Sequence, residues 1–143
     1  MGETIVAATE RAATKEQQGY VYAYDMLGEG ARTMADAERY LKAYQEAIVT
    51  IGDAAVASGK NDPRRVPGIS VKLSAIHPRY EFTHKARVMA EIVPKLKALC
   101  LQAKHYNIGL TVDAEESERL DISLDVIEAV FSDDELAGWD GFG

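Results

Sequence analysis

Apolar and polar residues alternate along this chain with two different periods, one typical of strands and the other of helices. The segment YVYAYDML (20–27) is rich in aromatic and β-branched residues, which predicts a strand. In TMADAERYLKAYQEAIVTIG (33–52), apolar residues recur every three or four positions, which predicts a helix that continues to about Ala57. Two further strand–helix pairs follow: GISVKLSAI (68–76) with a helix from about His84 to Tyr106, and NIGLTVDAE (107–115) with SERLDISLDVIEAVF (117–131).

Local signals refine the predicted helices. Thr33 and Asp36 have the spacing of a capping box, with Asp in place of the usual Glu or Gln. Pro94 lies inside the second long helix and predicts a kink or break there. The apolar stripe of that helix is predicted to contain Val88, Ile92, Leu96, Leu99, Cys100 and Ala103. One side of the last helix is predicted to contain Leu120, Leu124, Ile127 and Phe131.

Three strand–helix pairs in succession favour parallel strands covered by helices, an α/β fold. A doubly wound sheet and a β/α barrel both fit this order. A complete barrel takes about 250 residues, whereas this chain has 143. As a barrel it would comprise the first three βα units and the start of strand four at GWDGFG (138–143). Residues 1–18 are predicted to form a leading helix, and residues 19–143 the N-terminal half of a barrel.

Composition and charge narrow the class of protein. Hydrophobic residues make up 47% and charged residues 27%, which is typical of a globular chain. The net charge of −7 argues against nucleic acid as a partner of this segment and against a polybasic membrane anchor. No apolar run approaches the roughly 20 residues of a membrane-spanning helix. The single cysteine, Cys100, excludes an internal disulfide. These features, with a start unlike a signal peptide, predict a cytoplasmic location.

A charged residue stands near the end of each predicted strand, on the face with small or polar residues: Asp25, Lys72 and Asp113. Taken alone, Lys72 could be a charge on an edge strand or a charge that points into a cavity. Active sites of parallel β/α folds lie at the carboxyl ends of the strands. Three charges on matching faces therefore favour one pocket.

The chemistry of Lys72 has two alternatives. Between two carboxylates the amine stays protonated unless desolvation outweighs their attraction, and it could then bind an anionic substrate or a cofactor ring. A neutral amine could instead form a Schiff base. A metal site built from His77, Glu115 and Glu116 lacks a properly spaced further ligand, so no metal is predicted and these acidic residues fit a solvated helix start.

Several blocks of the chain resemble the proline dehydrogenase domain of bifunctional proline utilization A. They are YAYDMLGEGARTMADAERYLKAYQEAI, PGISVKLSAIHPRYE, GLTVDAEESERLDISLDVIE and LAGWDGFG, which together extend from about Gly19 to Gly143. The resemblance implies a distorted β/α barrel that binds FAD without a covalent bond. It also implies oxidation of L-proline to 1-pyrroline-5-carboxylate by hydride transfer to flavin N5, followed by electron transfer to a membrane quinone.

The same resemblance implies roles for individual residues. Lys72 resembles the strand-two lysine that contacts the proline carboxylate and lies beside the flavin. Asp113 resembles the active-site aspartate of strand three, with the backbone of Ala114 near the flavin. Asp25 resembles a first-strand aspartate of the substrate pocket. Glu29 resembles the glutamate that pairs with an arginine of the last helix and closes over the substrate.

The resemblance also implies that most FAD contacts and the carboxylate-binding arginines lie in the remaining half of the barrel. The 143-residue chain by itself is therefore expected to be inactive and to associate. Two other functions stay open: a Schiff-base lyase or isomerase on a β/α barrel, and a non-catalytic half-barrel interaction module. A parent protein of this family would be cytoplasmic or peripheral at the inner membrane.

Overall fold

A three-stranded parallel sheet forms the centre of the molecule, for which a computed structural model describes residues 2–143. The strands lie in sequence order: β1 (Ala23–Asp25), β2 (Gly68–Val71) and β3 (Leu110–Val112). In the register, Asp25 is opposite Ser70, and Ser70 is opposite Thr111. Phe142 pairs with Leu110 in the parallel direction. This isolated bridge lies beside β3, where the start of a fourth strand is predicted.

Five α-helices accompany the sheet in the described residues: α1 (Ile5–Glu16), α2 (Met34–Ala57), α3 (Leu73–Ile76), α4 (Lys85–Tyr106) and α5 (Leu120–Phe131). The predicted strand–helix order is confirmed, and this mixed α/β architecture is consistent with a partial β/α barrel. The strands, however, are much shorter than the predicted segments, since β1 has only 3 residues.

The second predicted strand, residues 68–76, is wrong in its last part. β2 ends at Val71, and the residues after Lys72 form the single helical turn α3. The Ala75 N–H donates to the Lys72 carbonyl at 3.1 Å, and the Ser74 N–H donates to the Glu115 carboxylate at 3.0 Å. Because these bonds use backbone groups that a strand would offer to its neighbours, the ladder stops at the lysine.

The helix signals are confirmed at the start of α2 and partly wrong in α4. The Asp36 N–H donates to Thr33 Oγ1 at 3.1 Å and the Thr33 N–H donates to Asp36 Oδ2 at 3.0 Å, which completes the capping box. Of the kink or break predicted at Pro94, the break is wrong, because α4 is continuous from Lys85 to Tyr106, and the kink stays a prediction. All six residues of its predicted apolar stripe are buried. Pro94 has no backbone N–H to donate, and this packing on both sides of it keeps the helix intact.

The predicted apolar side of α5 is wrong for three of its four residues, whereas the fourth, Ile127, is partly buried and packs against the core. The buried side chains are Ile122, Val126 and Val130, whereas the exposed fractions of Leu120, Leu124 and Phe131 are 54%, 55% and 69%. Both sets have helical spacing, so periodicity alone could not choose between them. We call Leu120, Leu124 and Phe131 the exposed face of α5.

One hydrophobic core lies between the sheet and the helices. Its largest fully buried side chains are Tyr44, Ile48, Ile51, Ile69, Leu73, Ile76, Ile92, Leu96, Leu99, Ile108, Leu110 and Ile122. Cys100 is buried in this core, and burial raises the pKa of its thiol to about 12. Within residues 2–143, none of the helices combines the length and apolar character that crossing a bilayer requires.

Candidate active site at the strand ends

The three charged residues predicted at the strand ends meet at the carboxyl edge of the sheet. Lys72 Nζ lies 2.7 Å from Asp25 Oδ1 and 2.8 Å from Asp113 Oδ2. The parallel register brings the ends of β1, β2 and β3 side by side, and each carboxylate directly follows or completes its strand. The Lys72 side chain is 16% exposed, whereas that of Asp25 is 57% exposed. The structure therefore brings the three charges together, and their role as a functional site stays a prediction.

Lys72 is held in its charged form. Burial lowers the pKa of its amine, but hydrogen bonds to Asp113 and Asp25 outweigh burial and leave that pKa well above its ordinary value. The ammonium is therefore protonated throughout the neutral pH range. A fixed cation of this kind can bind an anion or stabilise negative charge that develops beside it.

A tyrosine of α2 fixes the backbone of Lys72. The Lys72 N–H donates to the Tyr44 hydroxyl oxygen at 3.1 Å, and Tyr44 is 1% exposed. Burial is the main cause that raises the pKa of the Tyr44 phenol, which therefore remains neutral. The sequence pattern assigns Tyr44 only to the apolar side of α2. Its hydroxyl contact depends on how α2 crosses the sheet, and no signal in the sequence carries that information.

Glu29 and Ala114 are close to the strand ends in the chain but do not join the ion pairs. Glu29 is exposed on the loop between β1 and α2, and it makes no hydrogen bond or ion pair with any residue in 2–143. Ala114 is exposed directly after Asp113. The Asp113 N–H donates to the Val71 carbonyl at 3.0 Å, which extends the β2–β3 pairing to the aspartate. These positions leave both residues open to a further contact.

A second group of polar residues surrounds the backbone of Ser74, two residues after Lys72 in the chain. The Ser74 N–H donates to Glu115 Oε1 at 3.0 Å, and the Glu115 side chain is only 10% exposed. Arg119 lies 3.4 Å from Glu115 and 2.8 Å from Glu116. The sequence places Glu115 and Glu116 in an acidic helix start, which is confirmed for Glu116. For Glu115 a partly buried contact beside the end of the neighbouring strand β2 replaces the solvated position expected there.

His77 has a structural position. It is 1% exposed, its Nδ1 accepts the Arg79 N–H at 3.1 Å, and its Nε2 lies 2.9 Å from Glu91. Because Nδ1 accepts a hydrogen bond from the backbone, the ring proton is on Nε2 and is donated to the Glu91 carboxylate. In the described part of the chain, no group of three or more His, Cys, Asp or Glu residues is arranged to hold a metal ion.

Two clefts lie away from these charges. One, of about 500 Å³, is lined by residues that include Phe131, Trp139 and Phe142, and the other, of about 780 Å³, lies between α1 and α2. Neither is lined by Lys72 or its two carboxylates. The candidate site is therefore identified by its charges and by its place at the strand ends, not by a cavity.

Comparison with known proteins identifies relatives along almost the whole chain. The family model for proline dehydrogenase matches residues 8–143. The bifunctional protein PutA of Escherichia coli (strain K12) is 51% identical over 142 residues, which is 99% of this chain and 10% of that protein. The PutA of Rhizobium meliloti is 49% identical over 145 residues, again 99% of this chain and 11% of that protein.

Solved structures similar to this chain are also proline utilization A proteins. A mutant of Bradyrhizobium japonicum proline utilization A aligns with a TM-score of 0.84 and 55% identity, over 100% of this chain and 14% of that chain. A Bdellovibrio bacteriovorus proline utilization A inactivated by N-propargylglycine gives a TM-score of 0.88 over 99% of this chain and 16% of that chain. At 16% identity this second likeness concerns the fold alone. The chain spans about a tenth of its curated relatives, and it belongs to the proline dehydrogenase family.

Proposed function

We propose that this chain forms the first three strand–helix units of a proline dehydrogenase barrel. Completed by the remaining half of the barrel, it oxidises L-proline to 1-pyrroline-5-carboxylate with FAD as cofactor. The observation that carries the proposal is the position of Lys72, a protonated amine held by Asp25 and Asp113 at the carboxyl ends of three parallel strands. Membership of the proline dehydrogenase family supports the choice of substrate.

Lys72 has the charge that this chemistry requires. Proline carries a carboxylate, which a fixed ammonium can bind and orient. The residues present also fit a flavin, because an exposed edge with one partly buried cation suits a ring system that becomes more negative on reduction. Bound FAD would supply a hydride acceptor for the proline carbon next to nitrogen and a route for the electrons to a quinone. Lys72, Asp113 and the backbone of Ala114 are the residues of this chain that would hold it.

The two aspartates have a common task in this proposal. Asp113 and Asp25 keep Lys72 protonated and restrict its position to the space between β1 and β3. Asp25, which is more exposed, also lines the substrate pocket. Glu29 is exposed on the adjacent loop and pairs with an arginine from the last helix of the barrel to close over the substrate. That arginine belongs to the part of the barrel outside this chain.

The same geometry disfavours a Schiff-base enzyme. An amine must lose its proton to attack a carbonyl, and two ion pairs at 2.7 and 2.8 Å oppose that loss. A non-catalytic half barrel would use the same three residues only as a charge cluster. The two alternatives make different predictions for flavin binding and for borohydride trapping.

The test is a chimera in which this chain replaces the matching 142-residue segment of the Escherichia coli relative. We expect purified chimera to carry the yellow absorbance of FAD and to reduce a dye only when proline is added. Borohydride added with a carbonyl substrate should not modify Lys72. A chimera that folds without flavin, or covalent trapping at Lys72, would contradict the proposal.

A further inference from the structure

Ser74 connects the ends of all three strands. It lies two residues after Lys72 in α3 and is 3% exposed. Its side-chain oxygen accepts the Gly30 N–H at 3.0 Å, and its carbonyl accepts the Ala31 N–H at 2.8 Å. Its own N–H donates to Glu115 at 3.0 Å. One buried residue next to the candidate lysine thus holds the loop after β1 and the segment after β3.

The loop that Ser74 contacts carries Glu29. Gly28 and Gly30 flank this glutamate with φ angles of +136° and +61°, a region that residues with a side chain rarely adopt. The two glycines give this segment easy access to other conformations when nothing restrains it. The restraint follows Glu29 immediately, at Gly30 and at the buried Ala31. The position of Glu29 relative to Lys72 therefore depends on the contacts to Ser74 after it and on the packing of Gly28 against the Tyr40 ring before it.

We propose that Ser74 is a positioning residue for substrate binding, which acts by holding Glu29 at a set distance from Lys72. This inference rests on the proposed function, in which Glu29 closes over the proline while the hydride leaves the carbon held beside Lys72. The hydroxyl of Ser74 is the part that a substitution can remove, because the other two contacts come from its backbone.

The expected kinetic effect is specific. In Ser74→Ala the Gly30 N–H loses its acceptor, while Ala31 keeps the Ser74 carbonyl. A net hydrogen bond of ordinary strength corresponds to roughly a fivefold change in an equilibrium constant, so we expect KM for proline to rise about three- to tenfold. The value of kcat and the flavin content should change much less, since the Ser74 hydroxyl contacts the Gly30 N–H and neither Lys72 nor its two carboxylates.

The experiment uses the flavin-loaded chimera described above. Hydrogen exchange measured by mass spectrometry on a peptide that covers residues 27–33 should become faster in Ser74→Ala. The matched control is Ser58→Ala, because the Ser58 hydroxyl donates to the Ala55 carbonyl at the C-terminal end of α2 and does not contact this loop. The control should change neither exchange in residues 27–33 nor KM.

A double-mutant comparison separates positioning from general destabilisation. If Ser74 acts through Glu29, then Ser74→Ala should add little to the KM increase caused by Glu29→Ala. Fully additive effects, or unchanged exchange and KM in Ser74→Ala, would overturn the inference. Ser74→Cys keeps the size of the side chain with a weak acceptor, and loss of folding in both Ser74 variants would overturn it as well.

The same measurements separate this inference from the proposed function. If the unsubstituted chimera does not oxidise proline, the proposed function fails. Exchange in residues 27–33 would then decide the anchoring by itself, since faster exchange in Ser74→Ala supports it and unchanged exchange overturns it.

Discussion

Replacement of Lys72 by methionine tests the central ion-pair cluster most directly. Methionine keeps an unbranched side chain of similar length but removes the charge. At an effective dielectric constant of about 20, two unit charges 4 Å apart attract by about 4 kcal/mol. Removal of one preorganised group that stabilises charge in an active site typically costs about 100- to 1000-fold in rate.

The structure selects the lower end of that range. Asp25 and Asp113 lie 2.7 and 2.8 Å from the Lys72 amine and neutralise part of its field. We therefore expect kcat/KM for proline to fall about 100-fold in the Lys72→Met chimera. The assay is proline-dependent dye reduction at several proline concentrations, with rates normalised to the flavin absorbance of each preparation and far-UV circular dichroism as the check on folding.

The chain contains a matched control for this substitution. Lys97 also lies between two carboxylates, with Asp133 at 2.7 Å and Glu135 also in contact, and its side chain is 25% exposed. It is on α4, away from the strand ends. Lys97→Met should leave kcat/KM unchanged. Full activity in Lys72→Met, or an equal loss in Lys97→Met, would refute the role given to Lys72.

Four further results are expected. The contribution of charged Lys72 to kcat/KM should be complete below the ordinary lysine pKa of 10.5 and fall only at higher pH, because the pKa of Lys72 is raised in the folded chain. A loss of kcat/KM between pH 7 and 9 that disappears in Lys72→Met would contradict this. Thr33→Ala removes the capping box, so amide exchange at residues 34–37 should accelerate about fivefold, and unchanged exchange would count against the cap. The buried Cys100 thiol, with its pKa raised to about 12, should react with iodoacetamide at pH 8 only after urea is added. Its preference for the neutral form stabilises the folded chain, and this stabilisation is lost as the pH rises from 9.0 towards 12. The isolated chain should be inactive and associate through the exposed face of α5, so Leu124→Glu should increase the monomer fraction in size-exclusion chromatography. A flavin-loaded, active wild-type monomer would refute this.

The order of the elements and the positions of the charges follow from the residue pattern alone. Helical spacing in α2 and α4 is strong because each helix buries one continuous side against the core. Alternation along a strand assigns Asp25, Lys72 and Asp113 to one face, and parallel pairing then brings them to one edge. The order of the elements and the shared face depend on local geometry, whereas the shared edge also requires the parallel pairing that strand–helix alternation predicts.

The buried side of α5 and the contacts around Lys72 depend instead on tertiary packing. Nothing local distinguishes the valine side of α5 from its leucine side, so the neighbouring α4 selects the buried one. The hydrogen bonds that end β2, fix the lysine backbone through Tyr44 and surround Ser74 join residues 28 to 44 positions apart. Such bonds exist only when packing brings distant backbone groups within hydrogen-bond distance. The periodicity of a single chain carries no record of them.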